Sequence, residues 1–170
     1  MKPAFSFRSM QPADMEFMYK LYASTRADVH QIHDWNEDQK DQFLRMQFNA
    51  QHSHYQKHFP TAEFNLILNK KRKPIGRLYL HHREDEFRIL DISLLPQHRR
   101  KGIGSTIIKD IMEQGRVAAL PVRLHVARYN PALSWYTRMG FERIEETEMS
   151  FLMEWSVKKS IYVNSPEVIS

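Results

Sequence analysis

Hydrophobic and polar positions follow two different spacings near the start of the chain. Apolar and polar residues alternate over residues 4–8, which predicts a short strand. From Pro12 to Thr25 the apolar residues recur at helical spacing on one stripe, formed by Met15, Met18, Leu21 and Tyr22. Asn36 then occupies the position of an N-cap before a second helix, which the pattern extends to about Phe59.

Three strand-like runs come next in close succession. They cover residues 63–69, 74–82 and 87–95. The connections between them, NKKRK and REDE, are short and charged, which is typical of turns between paired strands. Short connections join antiparallel neighbours, so the pattern predicts an antiparallel meander.

The order of elements changes after Pro96. Isoleucine and methionine recur at helical spacing at positions 103, 107, 108, 111 and 112, with Gly115 near the predicted end of this helix. Residues 122–127 are strand-like, and Asn130 with Pro131 is the cap and first-turn proline of a short helix that stops at Gly140. Two further strands are predicted in FERIEE and MSFLMEW.

This order predicts an α+β, or mixed α/β, fold. Strands and helices alternate around one central, mostly antiparallel sheet of about seven strands, flanked by about four helices. A chain of 170 residues is long enough for one domain with a full core. We expect a single domain over residues 1–156, with residues 157–170 as a C-terminal tail or edge segment.

Composition removes several classes of function. The chain has no cysteine, so disulfides, thiolate metal sites and a cysteine nucleophile are excluded. His54 and His58 are four residues apart on a predicted helix, but no third ligand is evident nearby, so no metal site is predicted. No signal peptide and no apolar run of about 20 residues is found, which predicts a cytoplasmic protein without membrane contact.

Residues 97–104, QHRRKGIG, bring basic side chains and two glycines together just before a helix. Such a loop exposes backbone N–H groups at the positive end of the helix dipole, and glycine lets an anion approach closely. The Lys-Ser/Thr ending of a Walker A loop is missing, as is the third glycine of a dinucleotide fingerprint. These residues alone leave two interpretations open, a polyphosphate cradle and an exposed basic turn.

A second motif lies about twenty-five residues further on. In NPALSWYTRMGFER, Asn130 and Pro131 open a helix, Tyr136 lies one turn after Ala132, and Gly140 leads into the next strand. Two separated motifs in the right order are far more specific than either alone.

Together with ILDISLLPQHRRKGIG, this motif resembles the GNAT acetyltransferase superfamily, over roughly residues 4–155. The family's Q/R-x-x-G-x-G/A motif is matched by Arg99, Gly102 and Gly104. Its helix asparagine and tyrosine are matched by Asn130 and Tyr136. The order of elements is also similar to that of the GNAT fold from end to end.

The resemblance implies transfer of an acetyl group from acetyl-coenzyme A to a primary amine of a small molecule or peptide, without a metal. It implies that the pantetheine arm of the cofactor pairs with backbone as an added strand. The residues that it implies for cofactor binding are Leu94, Leu95, Arg99, Arg100, Lys101, Gly102, Ile103, Gly104, Ser105, Asn130 and Ala132.

The reaction needs a base because an alkylammonium of pKa ~10.4 is neutral in only about one molecule in a few thousand at pH 7. Asp91, on the strand that leads to the loop, is the first candidate, with His82, Ser93 and water as alternatives. Asp91 has a structural alternative as the buried partner of Arg88 or His125.

The resemblance also implies partners for the reacting groups. The backbone N–H of Leu94 is implied as the donor to the oxyanion that forms on the thioester. Tyr136 is implied as the proton donor to the leaving thiolate. Without the resemblance, Tyr136 reads as a core ring whose hydroxyl bonds to a carbonyl.

The acceptor site is implied to involve the connection between the first two helices, RADVHQIHDW. Asp28, Asp34 and Trp35 in this segment would suit a cationic amine through ion pairing and cation–π contact. The same residues would equally suit an ordinary exposed loop.

Two other classes of protein stay open. One is a module that binds acyl-coenzyme A without turnover, which would be indifferent to Tyr136. The other is a nucleic-acid binder, suggested by the net charge of +5, but the charge is concentrated at 98–101 and 70–73 without interleaved aromatics. Homodimerisation is also left open, with the last strand and the tail as the edge that would support it.

Overall fold

Seven strands form one mixed sheet in this computed structural model, which describes residues 4–157 of the chain. The strands are β1 (Phe5–Ser9), β2 (Glu63–Asn69), β3 (Pro74–His82), β4 (Phe87–Leu94), β5 (Val122–Ala127), β6 (Glu142–Glu146) and β7 (Ser150–Trp155). Their order in the sheet is β1-β2-β3-β4-β5-β7-β6. β4 and β5 run parallel, whereas β1 with β2, β5 with β7 and β6 with β7 are antiparallel.

The described residues also form five α-helices. They are α1 (Met15–Ser24), α2 (Ala27–His30), α3 (Glu37–His58), α4 (Ile103–Ala118) and α5 (Ala132–Arg138). Single 3-10 turns lie at Pro12–Asp14 and Pro96–His98. A parallel pair needs a crossover connection, and α4 supplies it between β4 and β5. The predicted α+β class and seven-stranded sheet are confirmed, with the short helix α2 as an addition inside the connection that the sequence marks as polar.

Contacts divide the described residues into two compact units. The first contains residues 4–79 and 91–104, and the second contains residues 80–90 and 105–157. The first unit has its buried apolar residues on α1, α3 and β2, among them Met18, Leu21, Leu44, Phe48 and Leu66. The second has them on α4, β5 and β7, among them Ile107, Ile108, Ile111, Leu124 and Met153. A single domain over residues 1–156 stays a prediction, and most of the predicted tail lies outside the described residues.

Helix α3 begins where the sequence predicts, at a cap formed by its own side chains. The Oδ1 atom of Asn36 accepts a hydrogen bond of 2.8 Å from the backbone N–H of Gln39, and Gln39 Oε1 accepts one of 2.8 Å from the N–H of Asn36. Glu37 and Asp38 add negative charge to the first turn. This reciprocal box satisfies two of the amide groups that a helix start leaves unpaired.

Helix α4 runs a little past Gly115, which the sequence places near its predicted end. The helix continues to Ala118, and Ala119 takes the left-handed conformation, with φ 57°, that follows the last turn. A Cβ atom on Gly115 would lie 2.9 Å from the carbonyl oxygen of Leu120 and 3.0 Å from Cγ2 of Val122. Glycine is therefore needed at this position for close packing rather than to terminate the helix.

The last strand is not an edge of the sheet, which corrects the prediction that it would support a dimer. β7 lies between β5 and β6, so β6 is the outer strand on that side. All five residues of β6 are exposed, and four of them are charged. Charged side chains on an edge strand oppose pairing with a second chain, so this edge is poorly suited to strand addition.

Candidate active site

The turn before α4 leaves backbone donors unpaired beside several cations. The N–H of His98 donates to the Leu95 carbonyl oxygen at 2.9 Å, and that of Arg99 to the Pro96 carbonyl at 3.3 Å. In the described part of the chain, no group accepts a hydrogen bond from the N–H of Arg100 or Lys101. Both of these residues are exposed, so their amides and side chains are available to a ligand.

Two residues of this turn have left-handed backbone. Arg100 has φ 62° and Gly102 has φ 83°. A Cβ atom on Gly102 would meet no atom within 4 Å, so glycine is required there by the dihedral angle and not by crowding. Helix α4 starts one residue later, at Ile103, with no acidic residue in its first turn. No carboxylate of this first turn therefore neutralises the partial positive charge of the helix start.

Arg99 is folded back onto the end of β4. Its Nε donates to the carbonyl oxygen of Leu94 at 2.8 Å, and its Nη2 lies 3.4 Å from the Oγ of Ser24. This predicted cofactor residue therefore braces the start of the turn through its side chain. These two partners are a carbonyl and a hydroxyl. Neither is a carboxylate, so the positive charge of Arg99 is not neutralised by them.

The backbone at the end of β4 is partly occupied. The N–H of Leu95 donates to the carbonyl oxygen of Ile75 at 2.9 Å. The carbonyl of Leu94 accepts the bond from Arg99. The carbonyl of Leu95 accepts from the N–H of His98, so an added strand at these two residues would depend mainly on the N–H of Leu94.

Asp91 pairs with a buried arginine that the sequence analysis did not select. Arg77, which is only 3% exposed, donates from Nε to Asp91 Oδ2 at 2.5 Å and from Nη2 to Gln51 Oε1 at 2.9 Å. Ser93 Oγ donates to the same carboxylate oxygen at 2.8 Å. Two of the candidates for the base, Asp91 and Ser93, are thus hydrogen-bonded to each other.

The charge of Arg77 is maintained despite its burial. Burial is the largest single effect and would lower its pKa, but Asp91 together with Tyr79 and Tyr55 raises it by more, so the pKa of Arg77 is raised overall. Its guanidinium also lies 4.7 Å from the ring centroid of Tyr79. The sequence carries one signal for this cluster, a single arginine within the apolar run IGRLYL.

Arg88, one of the two structural partners predicted for Asp91, pairs with a different residue. Its Nη2 lies 2.9 Å from Oε1 of Glu86, a carboxylate that is 3% exposed. Arg83 and Arg123 lie 3.2 and 3.5 Å from the same carboxylate. The prediction of an Asp91–Arg88 pair is therefore wrong, because the closer buried anion takes the arginine.

Helix α5 holds two of the predicted residues at its start. Oδ1 of Asn130 accepts a hydrogen bond of 2.9 Å from the backbone N–H of Ala132. The side chain of Asn130 thus caps α5, as the sequence predicts. The cofactor role of Asn130 and Ala132 stays a prediction.

Tyr136 is mostly buried, at 8% exposure. Its ring centroid lies 4.8 Å from that of Trp135 and 5.8 Å from that of Phe141. The ring therefore contributes to the packing of α5, while its role as a proton donor stays a prediction. A core ring and a functional hydroxyl are compatible in one tyrosine, since the apolar body packs and the O–H carries the chemistry.

The three residues predicted for the acceptor site have different surroundings. Asp28 lies in α2 and forms two contacts of 3.0 Å with Arg26. Trp35 packs edge to face on Phe43, with ring centroids 5.3 Å apart. Asp34 is exposed and has no partner among residues 4–157. Of the two predicted carboxylates, Asp34 alone is available to a cation without breaking an ion pair.

The rings of the histidine pair on α3 lie close together and are tilted by 42° to each other. The rings of His54 and His58 are 4.4 Å apart. Among the residues that the structure describes, no group of three or more histidine, aspartate or glutamate side chains is placed to hold a metal ion. No helix in this part of the chain combines the length and apolar character that a bilayer span requires.

Solved structures that are similar to this chain include several acetyltransferases. A PaiA N-acetyltransferase from Thermoplasma acidophilum, in complex with coenzyme A, is 20% identical, with TM-score 0.65 over 91% of this chain and 99% of that one. A spermidine N-acetyltransferase from Vibrio cholerae, in complex with coenzyme A and spermine, is 19% identical, with TM-score 0.60 over 95% and 99%. Ard1 from Thermoplasma volcanium is 18% identical, with TM-score 0.58 over 91% and 99%.

These similarities define the class of fold, which is that of the GNAT acetyltransferases. Residues 61–143 match the family model described as an acetyltransferase (GNAT) domain. The resemblance to the GNAT acetyltransferases seen in the sequence is confirmed by this match and by the fold. No curated protein matches the sequence.

Proposed function

We propose that the protein transfers an acetyl group from acetyl-coenzyme A to a primary amine of a small molecule or peptide. The observation that carries the proposal is the turn before α4, where the N–H groups of Arg100 and Lys101 have no acceptor in the described chain. Backbone amides, cations and a helix start without acidic residues suit the diphosphate of coenzyme A. The match of residues 61–143 to a GNAT acetyltransferase domain supports the same donor.

The first unit supplies the anion-binding part of this proposal. Arg99 holds the beginning of the turn against Leu94, and Gly102 provides the left-handed conformation before the helix. Arg100 and Lys101 add two positive charges that bulk water only partly screens. Together these features favour binding of a multiply charged anion over a role as a solvated turn.

Tyr136 is proposed to give a proton to the thiolate that leaves when the amine attacks the thioester. The C–N bond forms as the C–S bond breaks, and the sulfur carries away the electron pair and needs one proton. A phenol has a pKa of ~10 and a thiol one of ~8.5, so a phenol in free solution gives its proton to a thiolate only reluctantly. The phenol must therefore be held beside the sulfur to be an effective donor. The buried ring of Tyr136 provides that rigidity.

We propose that the amine loses its proton to water rather than directly to Asp91. One carboxylate oxygen of Asp91 already accepts from Arg77 and Ser93. Both donors engage this oxygen in the absence of substrate, so the carboxylate has a structural role before any amine binds. Asp91 instead keeps the buried charge of Arg77 compensated, so D91N is expected to lower stability while leaving the shape of the pH–rate profile unchanged.

The acceptor is proposed to be a cationic amine. Of the acidic residues predicted for the acceptor site, Asp34 is exposed and has no partner within residues 4–157, and Trp35 follows it in the chain. Proteins of similar fold include a spermidine N-acetyltransferase crystallised with spermine, which supports a polyamine among the amines to test first. Peptide amines and amino sugars are the other members of the proposed class.

The experiment is a panel of amines incubated with acetyl-coenzyme A while released thiol is measured. The chain has no cysteine, so the protein adds no background to a thiol reagent. We expect thiol release with at least one amine and none without an acceptor. Activity with an uncharged acceptor alone would contradict the role of Asp34.

Y136F separates the enzyme from a module that only binds acyl-coenzyme A. The enzyme is expected to lose about 10²- to 10⁴-fold in turnover, the range for a general acid, with cofactor affinity retained. Y129F is the matched control because Tyr129 is 92% exposed. Acceptor-dependent turnover that is unchanged in Y136F would contradict the role of Tyr136.

A further inference from the structure

Trp135 contacts a residue of the first turn of α4. Its indole Nε1–H donates a hydrogen bond of 3.1 Å to the Oγ of Ser105. Both residues belong to the second compact unit, and both side chains are half-buried. Trp135 is not one of the GNAT motif residues, and the proposed function described above assigns it no role.

The direction of this bond decides what the serine can still do. An indole N–H is only a donor, so it occupies an acceptor lone pair of the Ser105 hydroxyl and leaves the hydroxyl hydrogen free to donate. Within residues 4–157, Ser105 makes no other side-chain hydrogen bond. Accepting one bond also polarises a hydroxyl and strengthens the bond that it donates.

Ser105 is the third residue of α4, where a donated bond acts in the same direction as the helix dipole. The helix dipole favours an anion as the acceptor, and the first turn has no acidic residue of its own to take that position. A hydroxyl can either donate or accept a hydrogen bond. The indole N–H fills an acceptor position of the Ser105 hydroxyl, which favours donation by that hydroxyl at the start of the helix. A valine or leucine at position 135 would fill space without imposing this direction.

We infer that Trp135 is a positioning residue for the cofactor: its indole N–H orients the Ser105 hydroxyl so that the hydroxyl donates to a phosphate oxygen of coenzyme A. The inference rests on the proposed function, since it takes coenzyme A as the ligand. Trp135 also packs against Tyr136, with centroids 4.8 Å apart. One side chain thus touches a proposed phosphate ligand and the proposed proton donor.

The test is a double-mutant cycle on binding of coenzyme A, measured by calorimetry with W135F, S105A and W135F/S105A. Phenylalanine keeps an aromatic ring and removes the N–H. We expect S105A to weaken binding about tenfold and W135F about fivefold, the scale of a hydrogen bond to a charged group. The double variant should bind no more weakly than S105A, because both substitutions remove the same bond.

Two controls separate positioning from general packing. W155F removes an indole N–H elsewhere in the second unit and should leave affinity within about twofold. Pantetheine, which lacks the diphosphate, should bind wild type and W135F equally. S105T restores the hydroxyl and should recover most of the affinity lost in S105A, a comparison that does not depend on whether W135F folds.

Additive losses in the double variant, or normal binding of coenzyme A by S105A or by folded W135F, would overturn the inference. Equal weakening of pantetheine and coenzyme A by W135F would also overturn it, because the effect would then be one of packing. Failure of the wild-type protein to bind coenzyme A would instead reject the proposed function on which the inference rests.

Discussion

Two basic turns of the first unit differ in what their backbones do with the same charge. Residues 70–73 connect β2 to β3, and residues 98–101 precede α4. Each contains an arginine with φ 62°, Arg72 in one and Arg100 in the other. Net charge therefore cannot decide which turn binds an anion.

The turn at 70–73 closes on itself. Asn69 Oδ1 accepts hydrogen bonds of 2.9 and 3.0 Å from the N–H groups of Lys71 and Lys73. The N–H of Arg72 donates to the Asn69 carbonyl oxygen at 2.8 Å. Three successive amides are thus satisfied inside the turn, and a strand follows.

The turn at 98–101 stays open, and a helix follows. The amides of Arg100 and Lys101 have no acceptor in the described chain, and α4 adds the positive end of its dipole. Cations attract an anion from a distance, but directed N–H groups fix its position. The two turns carry similar charge, so it is the open backbone that makes the turn before α4 the better candidate for the proposed anion site.

The largest effect is expected from an acidic residue in the first turn of α4. S105D should weaken binding of coenzyme A at least about 100-fold, since like charges about 4 Å apart repel by about 4 kcal/mol at an effective dielectric near 20. The same change should leave thermal stability equal or slightly higher, because it complements the helix dipole. S105N is the uncharged control, with a loss of about tenfold. Equal calorimetric affinities of S105D and S105N would contradict the site.

A smaller effect is expected when charge is removed from each turn. R100Q/K101Q should weaken coenzyme A binding about tenfold and reduce its dependence on salt, since two nearby cations are lost. K70Q/K71Q removes the same charge from the closed turn and should change affinity by less than about twofold. Equal losses in both variants would mean that overall charge alone attracts the cofactor.

Opening the closed turn should affect stability and not binding. N69A removes an acceptor of two backbone amides and should lower the free energy of unfolding by about 1–2 kcal/mol in urea denaturation. Affinity for coenzyme A should stay unchanged. A loss of affinity in N69A would show that the two turns are not independent.

The smallest effect concerns the left-handed arginines. R72G and R100G each relieve an unfavourable φ, but glycine also makes the unfolded chain more flexible, so a net gain of about 0.5 kcal/mol in stability is expected for each. R100G should weaken coenzyme A binding, whereas R72G should not. Opposite stability changes in the two variants would argue against equal strain at the two turns.

Local patterns in the sequence predict the strands and helix starts well. The runs at 63–69, 74–82 and 122–127 are strands with those bounds, and Asn36 caps α3 as expected. Alternation, helical spacing and capping residues act over a few positions, so one sequence is enough to read them. The basic turn before α4 is visible in the same way.

Features that depend on distant contacts are not visible in the sequence. Helix α2 has four residues and includes the buried Val29, so packing rather than propensity sustains it. Gly115 is set by the approach of Leu120 and Val122, and the Trp135–Ser105 bond joins residues 30 apart. Asp91 on β4 pairs with Arg77 on β3, the preceding strand in the chain. Residue spacing alone does not identify this pair.

Calorimetric titration of the wild-type protein with coenzyme A tests the central claim most directly. The account predicts saturable heat at one site, weakened by raising the salt concentration and by R100Q/K101Q but not by K70Q/K71Q. No heat of association, under conditions where circular dichroism shows the protein folded, would contradict the claim that the turn before α4 holds the diphosphate.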